Sequence, residues 1–164
     1  MPDRPDELFQ EVYRDHAGLL GRVARGFTDG AADRDDLLQD ILVALWQALP
    51  HFRGQAKLST YVYRVAHSTA LNWKRSRQRY RQKVERFALA PVADEPAGPD
   101  RERIEWLYAR IRELAPADRT LIMLQLDQVP YADIAEITGL TESNIGVRLH
   151  RIKQHLGSQT PSSP

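Results

Sequence analysis

Almost every periodic apolar pattern in this chain repeats at the helical interval, and no stretch alternates like a strand bounded by Asn-Gly or Asp-Gly turns. A sequence so patterned is confined to an all-α fold. A first helix is expected over residues 6–27, with Leu8, Val12, Leu19, Leu20, Val23 and Phe27 on one face and Gly26, Asp29 and Gly30 at its end. A second should begin at Asp33, whose carboxylate suits the amides of a first turn, while Asp35 and Asp36 favour the positive end of the dipole. It carries Leu37, Leu38, Ile41, Leu42, Leu45, Trp46 and Leu49 before Pro50 stops it. That stripe is wider than a thin three-helix core requires, and the surplus points to a partner. Residues 52–58 read as a loop turning at Gly54, and Ser59 or Thr60 as the cap of a third helix reaching about residue 87.

Residues 88–100, ALAPVADEPAGPD, hold three prolines, one glycine and no sustained apolar period, so they divide the chain. Two small helical domains follow, at 1–87 and 101–156, joined by a flexible linker at 88–100 and trailed by a disordered tail at 157–164. The second domain should hold helices over 103–114 and 117–127, the latter opened by Pro116. Pro130 opens another at 131–138, Gly139 closes it, and Thr141 opens the last, ending near Leu156.

Composition narrows the function. The chain has no cysteine, and its five histidines (His16, His51, His67, His150, His155) show no ligand spacing, so neither a metal nor a cofactor is expected. No apolar run nears the roughly 18 residues that span a bilayer. The first residues, MPDRPDELF, lack a secretory apolar region, so a soluble, cytoplasmic protein without membrane insertion is the expectation. There is no Gly-rich phosphate loop and no nucleophile arrangement, which speaks against an enzyme.

The charges fall in alternating blocks. Residues 1–50 carry a net −5, 51–86 a net +9, 87–142 a net −6 and 143–164 a net +3. Two basic surfaces suit two contacts on a polyanion such as nucleic acid. The acidic blocks would be repelled by phosphate and should face something else.

Residues 130–156 have the pattern of a helix-turn-helix. Ala135 is small where two helices would cross, Gly139 supplies the positive φ of a sharp turn, and Ile134, Leu140 and Ile145 clamp the pair. Ile145, Leu149, Ile152 and Leu156 form one stripe of the last helix. The opposite side, Ser143, Val147, His150 and Gln154 flanked by Asn144, Gly146, Arg148, Arg151 and Lys153, is polar and basic, Val147 apart, and contains no acid. Such a face can enter a major groove. Residues 52–86 mix the aromatics Phe52, Tyr61, Tyr63, Trp73 and Tyr80 with Arg53, Lys57, Arg64, Lys74, Arg75 and Arg77. Single-stranded nucleic acid is bound by this combination of stacking and cationic track. Val65 and Ala66 read as core.

Taken together, the segments DRDDLLQDILVALWQALPHFRGQAKLSTYVYRVAHSTALNWKRSRQR and LAPADRTLIMLQLDQVPYADIAEITGLTESNIGVRLHRIKQHL resemble bacterial RNA polymerase sigma factors of the small extracytoplasmic-function group of the sigma-70 family. The first is similar to that family's region two, a helical bundle, and the second to its region four, a helix-turn-helix domain. The resemblance implies a factor that directs core RNA polymerase to promoters and assists melting. By that resemblance, Asp36, Leu37, Leu38, Gln39, Asp40, Val43, Leu45 and Trp46 dock on the clamp of the largest catalytic polymerase subunit. The loop holding Phe52, Arg53, Lys57 and Ser59, with Thr60 beside it, captures a flipped base of the minus-ten element. Tyr61, Tyr63, Arg64, His67, Asn72, Lys74 and Arg75 match the family's melting and minus-ten recognition helix, which holds the opened strand. Thr141, Glu142, Ser143, Asn144, Gly146, Val147, Arg148, His150, Arg151 and Lys153 read the minus-thirty-five element as duplex. Lys57-Leu58 stands where relatives often have an aromatic, and Val62 where many have Trp or another bulky residue. An anti-sigma partner is consistent with the family pattern, although no residue here identifies one. The rival reading is a stand-alone helix-turn-helix regulator, which accounts for residues 131–156 and leaves the Trp46 helix and the aromatic-basic helix unexplained.

Overall fold

The computed structural model describes residues 4–84 and 98–158, and the described residues form seven α-helices and one 3-10 turn. In order they are α1 (Arg4–Gly26), α2 (Ala31–Ala48), the 3-10 turn (Leu49–His51), α3 (Leu58–Val84), α4 (Pro99–Glu113), α5 (Pro116–Leu126), α6 (Tyr131–Thr138) and α7 (Glu142–Gly157). Most of the expected linker (88–97), the end of the basic helix (85–87) and the last tail residues (159–164) lie outside the described residues, as do the side chains of residues 77–84.

α1, α2 and α3 pack on one another as a three-helix bundle. Val12, Leu19, Leu20, Val23 and Phe27 from α1 and its end meet Leu37, Ile41, Leu45 and Leu49 from α2, and Val62, Ala66 and Ala70 from α3. The alanines let α3 approach closely. Gly30 caps α2 through its backbone alone, so the helix starts two residues before Asp33, which sits in its first turn. The α3 start also differs from expectation. The Tyr61 amide donates to the Lys57 carbonyl (3.1 Å), so Ser59 and Thr60 lie inside the first turn instead of capping it.

α7 packs on α5 and α6, and α4 lies against α5 and α1. Pro116 is the first residue of α5, where a missing amide hydrogen is harmless. Pro130 is instead the extended residue just before α6. Gly139 ends α6 at φ 77°, donating its amide to the Ala135 carbonyl (2.8 Å). Thr141 Oγ1 then accepts from the Asn144 amide (3.2 Å) and starts α7.

The two groups of helices touch. One apolar cluster runs through both, joining Phe27 and Val23 to Leu121, Met123 and Ile111. Gly26 permits this, because a Cβ there would fall 2.7 Å from Met123 Cε and closer still to its Sδ. α6 also packs across α3.

Candidate nucleic-acid interface

α7 is built as its periodicity requires. Ile145, Leu149 and Ile152 are buried, and Ser143, Asn144, Val147, His150, Arg151, Lys153 and Gln154 are exposed. Thr141 and Glu142 are exposed at its start. Gly146 is half-buried, with the Tyr131 ring 3.6 Å from where its Cβ would be. Arg148 is not free to swing: its Nη2 lies 2.6 Å from Asp118 Oδ1 on α5, and both side chains are about a third exposed. Asp118, Arg148, Arg151 and His155 line a shallow groove with Leu114 and Ile152, its volume about 300 Å³. Sequence reasoning missed Asp118 because an acid at a helix start reads as a dipole partner.

The loop before α3 turns at Gly54, with φ 75°. Phe52 packs on Tyr61 (ring centroids 5.0 Å apart), and the Tyr61 hydroxyl donates to the Ala48 carbonyl (2.9 Å). Both aromatics are half-buried and keep an accessible edge. Arg53 Nη1 donates to the Pro50 carbonyl (2.9 Å). Arg53, Lys57, Arg64, Asn72 and Arg75 are exposed, and Ser59 and Lys74 are half-buried.

Three of the residues expected to face the opened strand point elsewhere. Thr60 and His67 are 2% exposed and Tyr63 is 9% exposed, because α3 turns this side toward the bundle and, at Tyr63, toward Asp127 at the end of α5. His67 lies edge-on to Phe27 (6.1 Å) and stacks with Tyr63 (6.3 Å). Neither of its ring nitrogens has a hydrogen-bond partner, and burial pushes its pKa down to about 4. Tyr63 is pushed up to about 12, first by burial and then by the Asp127 carboxylate beside its hydroxyl. Val62 is also fully buried, so its small size answers to the core.

α2 divides its wide stripe. Leu37 and Leu45 are fully buried, contrary to the expectation that they dock on a partner; they face α1 and α3. Trp46 and Val43 are 55% and 54% exposed, beside exposed Asp36, Gln39 and Asp40 and half-buried Leu38. Trp46 Nε1 donates to Asp6 Oδ1 (3.3 Å).

Where the two groups meet, Arg119 on α5 is buried among backbone carbonyls. It donates to Leu114 O (2.9 Å), to Arg112 O and to Gly26 O (3.5 Å), and its guanidinium lies over the Phe27 ring. Burial lowers its pKa, yet guanidinium stays charged at any ordinary pH. The carbonyl ends of α1 and α4 supply the negative partial charge that it needs. Arg112 completes the plug, donating to Arg25 O (3.4 Å) and approaching Asp29 Oδ1 (3.6 Å). Arg25 pairs with Glu105 and lies over the Tyr108 ring.

The family described as "Sigma-70 region 2" matches residues 12–80, and that described as "Sigma-70, region 4" matches residues 104–156. The chain is similar to "RNA polymerase sigma factor YlaC" of Bacillus subtilis, at 27% identity over 94% of this chain and 90% of that one. It is similar to "ECF RNA polymerase sigma factor SigG" of Mycobacterium tuberculosis, at 27% identity over 93% of this chain but only 48% of that longer one. In fold it resembles the sigma factor RpoE of Bartonella quintana, solved in complex with the anti-sigma factor NepR. The TM-score is 0.74, at 21% identity over 93% of this chain and 98% of that one.

Proposed function

The chain belongs to the extracytoplasmic-function group of the sigma-70 family, and from that premise we propose how its faces divide the work of starting transcription. It is a promoter-directing sigma factor, a DNA-binding initiation factor that works with core RNA polymerase. In this reading residues 1–87 bind polymerase and the minus-ten element, 88–100 connect, and 101–156 bind the minus-thirty-five element. The observation that carries it is the construction of α7. Ile145, Leu149 and Ile152 of its apolar stripe are buried and Leu156 is half-buried, and its outer side from Ser143 to Gln154 bears Arg148, Arg151 and Lys153 and no carboxylate of its own. That side meets duplex, with Arg151 and Lys153 on phosphate or base edges and Ser143, Asn144 and Val147 toward the groove.

Phe52, Arg53, Lys57, Ser59 and Tyr61 receive the unpaired base, and Arg64, Asn72, Lys74 and Arg75 track the opened strand. Trp46, Val43 and Leu38, flanked by Asp36, Gln39 and Asp40, form the polymerase-docking face. A large aromatic anchor ringed by polar groups is the usual centre of such an interface. RpoE was solved with an anti-sigma factor, and a partner of that kind fits this chain too. No helix among the described residues is long and apolar enough to cross a membrane, consistent with action in the cytoplasm, where the template is. The stand-alone regulator is disfavoured because it gives the Trp46 face no task.

Run-off transcription with purified core polymerase over a library of promoter sequences tests the reading. Transcripts should depend on the protein and start at a shared pair of elements; gel shifts as tight without core as with it would favour the stand-alone regulator. Trp46→Ala should weaken core binding by about 2 kcal/mol. Helical circular dichroism should be unchanged, because the indole is more than half exposed. Undiminished retention by immobilised core would remove Trp46 from the interface.

A further inference from the structure

We propose that Asp118, in the first turn of α5, is a positioning residue for duplex DNA: it holds the Arg148 guanidinium at the edge of α7 with donors to spare for a phosphate. The inference deepens the reading of α7 as the duplex-binding helix and rests on it. Asn144, Arg148, Arg151 and His155 follow one another at steps of four, three and four, so they form one polar row along a flank of α7. Arg148, Arg151 and His155 line the shallow groove between α7 and the start of α5, and Asp118 is the one acid among the residues that line it.

An acid beside such a row repels phosphate, so its presence calls for a gain that outweighs the repulsion. The contact supplies one. Arg148 Nη2 donates to Asp118 Oδ1 at 2.6 Å, and this is the one hydrogen bond of its side chain among the described residues. Nε, Nη1 and the second Nη2 hydrogen are left for a phosphate oxygen. Asp118 is itself fixed. Pro116 begins α5, the Asp118 amide donates to the Ala115 carbonyl (2.9 Å), and the next residue, Arg119, is buried with its guanidinium tied to the Leu114 and Arg112 carbonyls. A carboxylate in a first turn also meets the positive end of the helix dipole, which offsets part of the charge that opposes phosphate. As a staple between α5 and α7 the pair contributes little, since both side chains are about a third exposed. Its larger effect is on order. A free arginine samples many rotamers and loses them on meeting phosphate, whereas a held one has lost them already.

The test is anisotropy titration of the full chain against a short fluorescein-labelled random-sequence duplex at low salt, with urea midpoints confirming that each variant is folded. Asp118→Ala removes a negative charge, and electrostatics alone would tighten binding. Positioning predicts the opposite sign, a loss of roughly fivefold, the scale of ordering one long side chain. The salt slope should become shallower as well, because a wandering Arg148 no longer displaces a counterion at a fixed phosphate. In an Arg148→Ala background, Asp118→Ala should cause no further loss. Asp100→Ala removes the same charge at the end of α4 opposite Leu114 and the groove, and it should cause none. Should Asp118→Ala fail to fold, Asp118→Asn serves, with a smaller loss expected because its amide oxygen still accepts. Wild-type or tighter binding by the Asp118 variant, or the same loss in the Arg148→Ala background, refutes the positioning role. Arg151→Ala separates this from failure of the underlying reading. If it binds more weakly than wild type, α7 remains the duplex helix whatever Asp118 does, and Arg148→Ala binding like wild type beside it refutes the proposal alone. If both arginine variants bind like wild type, the premise itself is removed.

Discussion

α3 and α7 are both cationic helices, and they differ in how many sides they bury. α7 buries Ile145, Leu149 and Ile152, a narrow stripe at steps of four and three, and its outer side is left to solvent. α3 buries Val62, Tyr63, Ala66, His67 and Ala70, which are two adjacent stripes. One packs in its own bundle, and the other lies against Phe27 at the end of α1 and Asp127 at the end of α5. The width of the buried stripe, more than the number of Lys and Arg, decides which cations are open to a polyanion. On α7, Arg151 and Lys153 are exposed; Arg64 on α3 and Lys57 just before it are exposed too, but Arg64 donates to the Glu136 carbonyl and Lys57 pairs with Asp133.

The sharpest way to break this contrast is to remove the α7 stripe. Leu149 is 1% exposed, and Leu149→Ala should cost about 2–5 kcal/mol through lost burial and a residual cavity. Urea unfolding would read this as a shifted midpoint. Duplex binding should fall with it, while docking through Trp46 survives if α1–α3 stand without α7.

The second stripe of α3 contains a titrating group. His67 is neutral in the fold because its pKa is pushed down to about 4 from 6.5. The unfolded chain takes up a proton below 6.5 and the folded one does not, so stability is complete above 6.5 and falls as pH drops toward 4. The loss across that window is on the order of 3 kcal/mol. His67→Leu removes two unpartnered ring nitrogens and should flatten that dependence, with a gain of about 1 kcal/mol at neutral pH. Equal acid slopes for the two proteins in urea titrations would show that His67 is not the responsible group.

Much of α7 was legible in the sequence, because its signals are local. Gly139 must take a positive φ, Thr141 must cap, and the steps of the stripe choose the inner side. Part of the surplus of the α2 stripe was legible too, since Trp46 remains outside. The contact between the helical groups was not. Arg119 reads as a surface cation, and only the meeting of two helix ends makes it a buried one. Gly26 reads as a helix terminus, whereas its tolerance of Met123 is a fact of distant packing. Tyr63 and His67 stand beside Val62 and Ala66 in register, and sequence spacing alone does not say whether one stripe or two will be covered. Gln128 ends α5 with φ 60°, where the sequence offers no glycine as a sign.

Two smaller substitutions sharpen the contrast from the α7 side. Arg151 is exposed and lines the same groove as Asp118, but it is Arg148 that pairs with that acid, so the two should not respond alike. Arg151→Ala should weaken binding of a minus-thirty-five duplex by about 1–3 kcal/mol. In anisotropy titrations its salt slope should also be shallower than wild type; an unchanged slope would mean that Arg151 does not touch phosphate. Thr141→Ala is the mildest change. It removes only the hydroxyl that accepts from the Asn144 amide, worth about 1 kcal/mol, and leaves every buried residue of α7 in place. Hydrogen exchange should then quicken at the first-turn amides of α7, and duplex affinity should fall by less than for Arg151→Ala. The first turn carries Ser143 and Asn144, so fraying there loosens the end of the helix proposed to enter the groove. Loss of affinity without faster exchange would mean that Thr141 contacts DNA directly and does not act through the cap.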